Sequence, residues 1–232
     1  TNASTSAGPH MQFTTASDDY PLMQFMMYAH DNANIVFDGY LKSDASAWVS
    51  SDAGSTFKIS KTSDKLDFSY GTAAAGSDVS MTSALAITAA GLVGIGTSSP
   101  DGTLHVHTAT AGSVTAHASG DDLIIEGSTN PGMTILGPND NTLSIFFGDP
   151  DSNISGQFNY SHTSDQFKWV TAGAQKMSLG GAAGSAILDL ETTGNRIDFD
   201  DDNDTSIRCS ADDIMALEVG TVDRLILNGV LS

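Results

Sequence analysis

Thr62-Ser63-Asp64-Lys65-Leu66-Asp67-Phe68 is an acidic turn running straight into a strand, and its pattern returns three times along the chain. The later copies are Ser119-Gly120-Asp121-Asp122-Leu123-Ile124-Ile125, Thr163-Ser164-Asp165-Gln166-Phe167-Lys168-Trp169 and Ser210-Ala211-Asp212-Asp213-Ile214-Met215-Ala216. The marker aspartates 64, 121, 165 and 212 fall roughly fifty residues apart, the period of a supersecondary repeat. A second marker sets the register. Met133, Met177 and Arg224 follow their aspartates at one common spacing, and each opens a short apolar run that ends in glycine. An earlier apolar strand near an acidic turn also recurs, at Ile35-Val36-Phe37-Asp38, Ile145-Phe146-Phe147-Gly148-Asp149 and Ile197-Asp198-Phe199-Asp200. Three such strands cannot close a core alone, so each unit is expected to bury its apolar face on neighbours or on other chains.

Composition agrees with an all-β chain. Of 232 residues only 16% are charged and 23 are glycine, and the apolar residues sit in short runs between turn formers. No segment sustains a 3.6-residue period, which predicts few or no helices. The net charge of −19, from 28 acidic and 9 basic residues, repels phosphate backbones and anionic headgroups. Nucleic acid and membrane insertion are therefore not expected, and no apolar run approaches the roughly 18 residues of a membrane span. One cysteine, Cys209, leaves no intrachain disulfide framework and reads as a small core residue.

The run Gly91-Leu92-Val93-Gly94-Ile95-Gly96-Thr97-Ser98-Ser99-Pro100, followed by Leu104-His105-Val106, resembles a segment of bacteriophage tail fibres and tail spikes of the kind that precedes a self-cleaving intramolecular chaperone. The stretch from Trp48 to Phe68 is similar to the repeated body of such fibres. The resemblance implies an elongated, parallel homotrimer of tandem small β modules, of β-prism, β-sandwich or triple β-helix type. It also implies a viral structural protein on the outside of a virion, a shaft or adhesin for host attachment. Its partners would be two further copies of itself, other virion tail proteins and a glycan or protein receptor on the host cell. On that reading Gly91, Val93, Gly94, Ile95 and Gly96 approach the three-fold axis, where glycine lets backbones come close.

The expected organisation is a tag or linker at 1–11, a first β module at 12–90, a glycine-rich trimeric connector at 91–118, a second module at 119–190 and a partial third at 191–232. No cofactor is required by this reading. Two metal readings nevertheless have a chemical basis. His105 and His107 share one strand face, and a three-fold axis would gather six imidazoles around a transition metal; Leu104 and Val106 compete for the buried face and would leave the imidazoles in solvent. Asp200, Asp202 and Asp204 place carboxylates at the first, third and fifth positions of a Ca²⁺ loop that lacks the later EF-hand ligands. Tyr40, Trp48, Tyr160 and Trp169 are the aromatics expected to meet a receptor. A polysaccharide-depolymerising tailspike, glycosidase or lyase, is the enzymatic alternative, and a capsid or other virion surface protein is a further one. Carboxylate pairs are unavoidable among so many acidic residues, and no nucleophile elbow or Cys-His pair is present, so the chain is read as non-catalytic.

Overall fold

The computed structural model describes residues 9–14, 22–29, 31–42, 44–180, 188–190, 196–198, 205–211, 214–219 and 222–228. Among these every regular element is a strand, and there is no helix long and apolar enough to cross a membrane. The chain divides into two compact units, Thr1–Met133 and Thr134–Ser232.

The first unit carries β1 (Pro9–Phe13), β2 (Met23–Ala29), β3 (Asn32–Phe37), β4 (Gly39–Leu41), β5 (Trp48–Ser50), β6 (Gly54–Thr62), β7 (Lys65–Ala73), β8 (Asp78–Val79), β9 (Thr82–Thr88), β10 (Val93–Ile95), β11 (Leu104–His107) and β12 (Leu123–Glu126). Nine of these form one sheet in the order β1-β2-β3-β6-β7-β9-β10-β11-β12, and β4-β5-β8 form a second, small sheet. Pairing is antiparallel as far as β10; β10–β11 and β11–β12 are parallel. The small sheet packs on one face of the large one, touching β2, β6 and β7. Among the described residues Met26, Val36, Tyr40, Leu41, Val49, Val79 and Ala86 make up the buried apolar core of this unit. The other face of the large sheet has no such cover within the described residues.

In the second unit β13 (Thr142–Phe147), β14 (Gly156–Ser161), β15 (Gln166–Thr171), β16 (Ala174–Gly180) and β17 (Leu188–Leu190) form a five-stranded sheet. A four-stranded sheet follows from β18 (Arg196–Asp198), β19 (Thr205–Ala211), β20 (Ile214–Val219) and β21 (Val222–Asn228).

The sequence repeat is a four-stranded antiparallel meander. It occurs as β3-β6-β7-β9, β13-β14-β15-β16 and β18-β19-β20-β21. One apolar rung recurs in each: Ile35, Ile59, Phe68 and Leu85; Ile145, Phe158, Trp169 and Met177; Ile197, Ile207, Leu217 and Leu225. The register also slips just after the third residue of each rung, between Phe68 and Ser69, Trp169 and Val170, and Leu217 and Glu218. A bulge at the same position in all three meanders is a feature of the repeat, since bulges re-aim the strand that follows. The first meander is enlarged by β4 and β5 between its first two strands and by β8 between its last two.

Three expectations differ from this arrangement. The Asp121 copy of the turn opens no meander: it precedes β12, which lies parallel to β11, and Met133 is in no strand. The segment 91–118 contributes β10 and β11 to the first sheet, where a connector between modules was expected. Finally, Pro9, His10 and Met11, set aside as tag or linker, lie in β1 and pair with β2.

Hairpin turns follow the local chemistry. Ser63 and Asp64 both take positive φ, at 45° and 60°, in the two-residue turn between β6 and β7. The β15–β16 turn uses Ala172 (φ 50°) and Gly173 (φ 74°). Two left-handed residues match the twist of a tight hairpin, and asparagine tolerates the first position better than alanine does. Ala172→Asn should therefore raise the stability of the second unit by about 0.5–1 kcal/mol, read as a higher urea midpoint at unchanged slope.

Candidate functional site

Side chains alternate along each strand, so each strand of the large sheet offers one set of residues to the side that carries the small sheet and another to the open face. The covered set mixes apolar residues such as Met26 and Val36 with many small polar ones, while the open set includes large apolar ones. On β6 Thr56 is fully buried while Phe57 is 51% exposed, and on β7 Ser69 is 5% exposed between Phe68 at 37% and Tyr70 at 44%. Gln24, Asn34 and Ser60 are also buried on the covered side. Thr56 donates to the Asp38 carbonyl, and Asn34 to the Asn32 side chain, so part of this polar face is internally satisfied.

The open face carries one rung that is apolar from edge to edge. It runs Met11, Phe25, Ile35, Ile59, Phe68, Leu85, Ile95, Val106 and Ile125, one residue from each of the nine strands, with no polar side chain in it. The rung beside it continues through Leu66, Ile87, Val93, Leu104 and Leu123. Monomeric soluble proteins rarely leave contiguous apolar surface of this extent open. Burying each such side chain is worth about 1.5–3 kcal/mol.

The five-stranded sheet repeats the arrangement with aromatic residues. Phe158 stacks on Phe167 at 5.4 Å and lies 5.2 Å from Trp169; Tyr160 lies 4.8 Å from Phe167. Ser178, Ser161 and Asn159 are buried, whereas Phe167, Ile145 and Leu179 are exposed. The Tyr160 hydroxyl donates to Asp165, and partial burial, together with that carboxylate, raises its pKa.

The aromatic receptor candidates thus separate. Tyr160 and Trp169 share the apolar ladder, Tyr40 is only 9% exposed in the core of the first unit, and Trp48 stands half-buried on β5 with the Lys58 ammonium 5.1 Å from its ring centroid.

The glycine-rich run is explained within a single chain. Gly96 takes φ +76°, and a Cβ there would lie 2.1 Å from the His107 carbonyl oxygen; a Cβ on Gly94 would lie 2.3 Å from that of Thr97. The Gly94 contact is with the loop that carries β10 over to the parallel strand β11, and the Gly96 contact is with the end of β11 itself. Gly91, at φ +81°, turns the chain from β9 into β10. Val93 and Ile95 point to the apolar face.

His105 and His107 occupy the opposite side of β11, and the expectation of solvated imidazoles is corrected. His105 is 2% exposed because the 96–103 loop and Glu126 of β12 close over it. The Asp101 N–H donates to His105 Nδ1 at 3.3 Å, which places the imidazole proton on Nε2. That nitrogen lies 3.0 Å from Glu126 Oε2 but off the line of a hydrogen bond. Glu126 Oε1 accepts the Ala111 N–H at 2.6 Å and lies 3.9 Å from His107 Nε2. The ligand atoms of Asp101, His105 and Glu126 lie within 4.8 Å of one another. Glu126, held by the Ala111 N–H beside both imidazoles, is a carboxylate latch across the parallel β11–β12 pair, and with Asp101 and His105 it also forms a donor set that could hold a metal ion. Asp200, Asp202 and Asp204 lie outside the described residues.

The Glu126 carboxyl titrates below its ordinary value of 4.5, chiefly through the Ala111 N–H and then through the two histidines. A depressed folded pKa gives stabilisation that is present above 4.5 and lost as pH falls through the lower folded value. Glu126→Gln should therefore flatten the acid limb of the first unit's stability below 4.5, measured as urea midpoint against pH; an unchanged limb would remove the latch.

No known protein family matches the chain, and neither does any curated protein or solved structure.

Proposed function

We propose that this chain is the body of a parallel homotrimeric fibre of the viral tail-fibre kind, a non-catalytic shaft and adhesin carried on the outside of a virion. The observation that carries the reading is the nine-residue apolar rung on an uncovered sheet face whose reverse buries polar residues beside Met26 and Val36. A sheet built this way needs a second apolar surface, and an identical chain supplies one of the same chemistry. Three copies around one axis bury one such face from each chain and hide the strand edges that would otherwise recruit further chains. The three-fold order comes from the resemblance of 91–106 to tail-fibre bodies. The recurrence of the same rung and bulge in three meanders fits a shaft assembled from like modules. The net charge of −19 keeps the outer surface of such an assembly soluble and holds separate fibres apart. Presenting three copies of a weak receptor site at once would raise avidity without further contacts.

Co-expression of chains with and without a charged tag tests the stoichiometry. A trimer gives both pure species and two mixed ones on ion exchange. The absence of mixed species, or a single mixed species, contradicts it.

A further inference from the structure

On the polar side of the large sheet, beside the small sheet, lies a groove of about 420 Å³ lined by residues of β6, β7 and β9 and the segments that join them, together with Ser98. Its floor is set by register. Lys58 pairs with Ser69 and Ser69 with Ser83; one rung along, Ser60 pairs with Asp67. Ser83 donates to Asp67 at 2.5 Å, and Lys65 donates to the Ser98 carbonyl at 3.2 Å, so these two charges are positioned. Two groups are not. The Lys58 ammonium has only the Trp48 ring and the charge of Asp67 as neighbours and makes no hydrogen bond among the described residues. The hydroxyl of Ser69, the residue paired with Lys58 on the neighbouring strand, is buried with no hydrogen-bond partner among the described residues.

A buried hydroxyl and a desolvated ammonium that line one groove, neither with a hydrogen-bond partner among the described residues, are groups that a ligand could satisfy. Burial lowers the Lys58 pKa, and an anion at this point would restore the charged form. Two lysines against one aspartate make the groove locally cationic in a chain of net charge −19. One free cation without an arginine fork suits a single carboxylate, not a polyphosphate. The neighbouring hydroxyls and Asp67 can exchange hydrogen bonds with sugar hydroxyls.

We infer that this groove binds an acidic saccharide, with the sugar carboxylate on Lys58 and Ser69 and its hydroxyls on Ser60, Ser83 and Asp67. The inference rests on the adhesive role proposed above and names its ligand class. It uses the sheet face opposite the apolar rung, so it remains open when copies meet through that rung.

Saturation-transfer NMR on the whole protein, with tetragalacturonate as probe and maltotetraose as the neutral control, tests it. Transfer is expected to the acidic sugar alone. Lys58→Met keeps the apolar stem on Trp48 and should weaken binding at least tenfold; Ser69→Ala should weaken it several-fold. Asp67→Asn removes the competing carboxylate and should tighten binding, a gain that a merely structural role for Asp67 would not produce. Equal transfer to both sugars, transfer to neither, or undiminished binding by Lys58→Met overturns the groove. The mass of the same samples is read in parallel: absent binding in a trimeric sample refutes the groove alone, whereas a monomeric mass refutes the assembly.

Discussion

Phe68→Lys is expected to convert the assembled protein into single chains. Phe68 sits at the centre of the nine-strand rung, flanked by Ile59 and Leu85 on the neighbouring strands, and it is 37% exposed in the isolated chain. A lysine there is tolerated by the chain alone, since its ammonium reaches solvent across the uncovered face. In the assembly three ammonium groups would be brought into one apolar contact, and a buried unpaired charge is destabilising by several kcal/mol apiece. The readout is solution mass together with circular dichroism: a fall to one chain with the β spectrum retained. Ser69→Lys, the adjacent residue on the opposite side, disturbs the fold or the groove and is not expected to dissociate the copies selectively. An unaltered oligomer in Phe68→Lys would exclude this rung as the contact.

Gly96→Ala should be the most damaging single methyl in the first unit. It meets the left-handed penalty of about 1–2 kcal/mol and, in addition, a backbone oxygen 2.1 Å from the new Cβ. The combined loss is expected to be about 3 kcal/mol or more, seen as a lowered urea midpoint. Gly91→Ala is the matched control, because Gly91 also has positive φ but a Cβ there meets nothing within 4 Å. Its loss should stay near 1 kcal/mol. Comparable losses at the two positions would mean that the His107 carbonyl contact is unimportant. Dissociation by Gly96→Ala without loss of monomer stability would return this glycine to a role at the three-fold axis.

The repeat was the most legible part of the fold because it is local. Asp64 and Asp165 mark hairpin turns through their own backbone conformation, and the apolar residues behind them alternate with the period of a strand. Which strands pair across distance was less legible. Nothing in the wording of Asp121-Asp122-Leu123-Ile124-Ile125 distinguishes it from the other copies, yet its partner is the parallel strand β11, chosen by the 96–103 loop rather than by the turn. The β4–β5 hairpin, inserted between β3 and β6, likewise carries no repeat marker.

The candidate sites divide along the same line. Alternation shows that Phe57, Ile59 and Ser60 cannot all share a face, but it does not say which face the small sheet covers. The reading of His105 failed on that point: Leu104 and Val106 do share a side, and that side is the open one. The groove at Lys58 and Ser69 was missed because its residues come from three strands and become neighbours only through register. A signal was available in the single lysine amid the apolar and hydroxyl residues of Ser55-Thr56-Phe57-Lys58-Ile59-Ser60, though not its partner.

Multi-angle light scattering on the purified chain tests the central claim most directly. The account predicts a particle of three chains of 24.0 kDa each, with no detectable single chain until the apolar faces are separated by denaturant. A stable, monodisperse monomer at 24.0 kDa would contradict it, since the nine-strand rung would then be exposed to water without consequence.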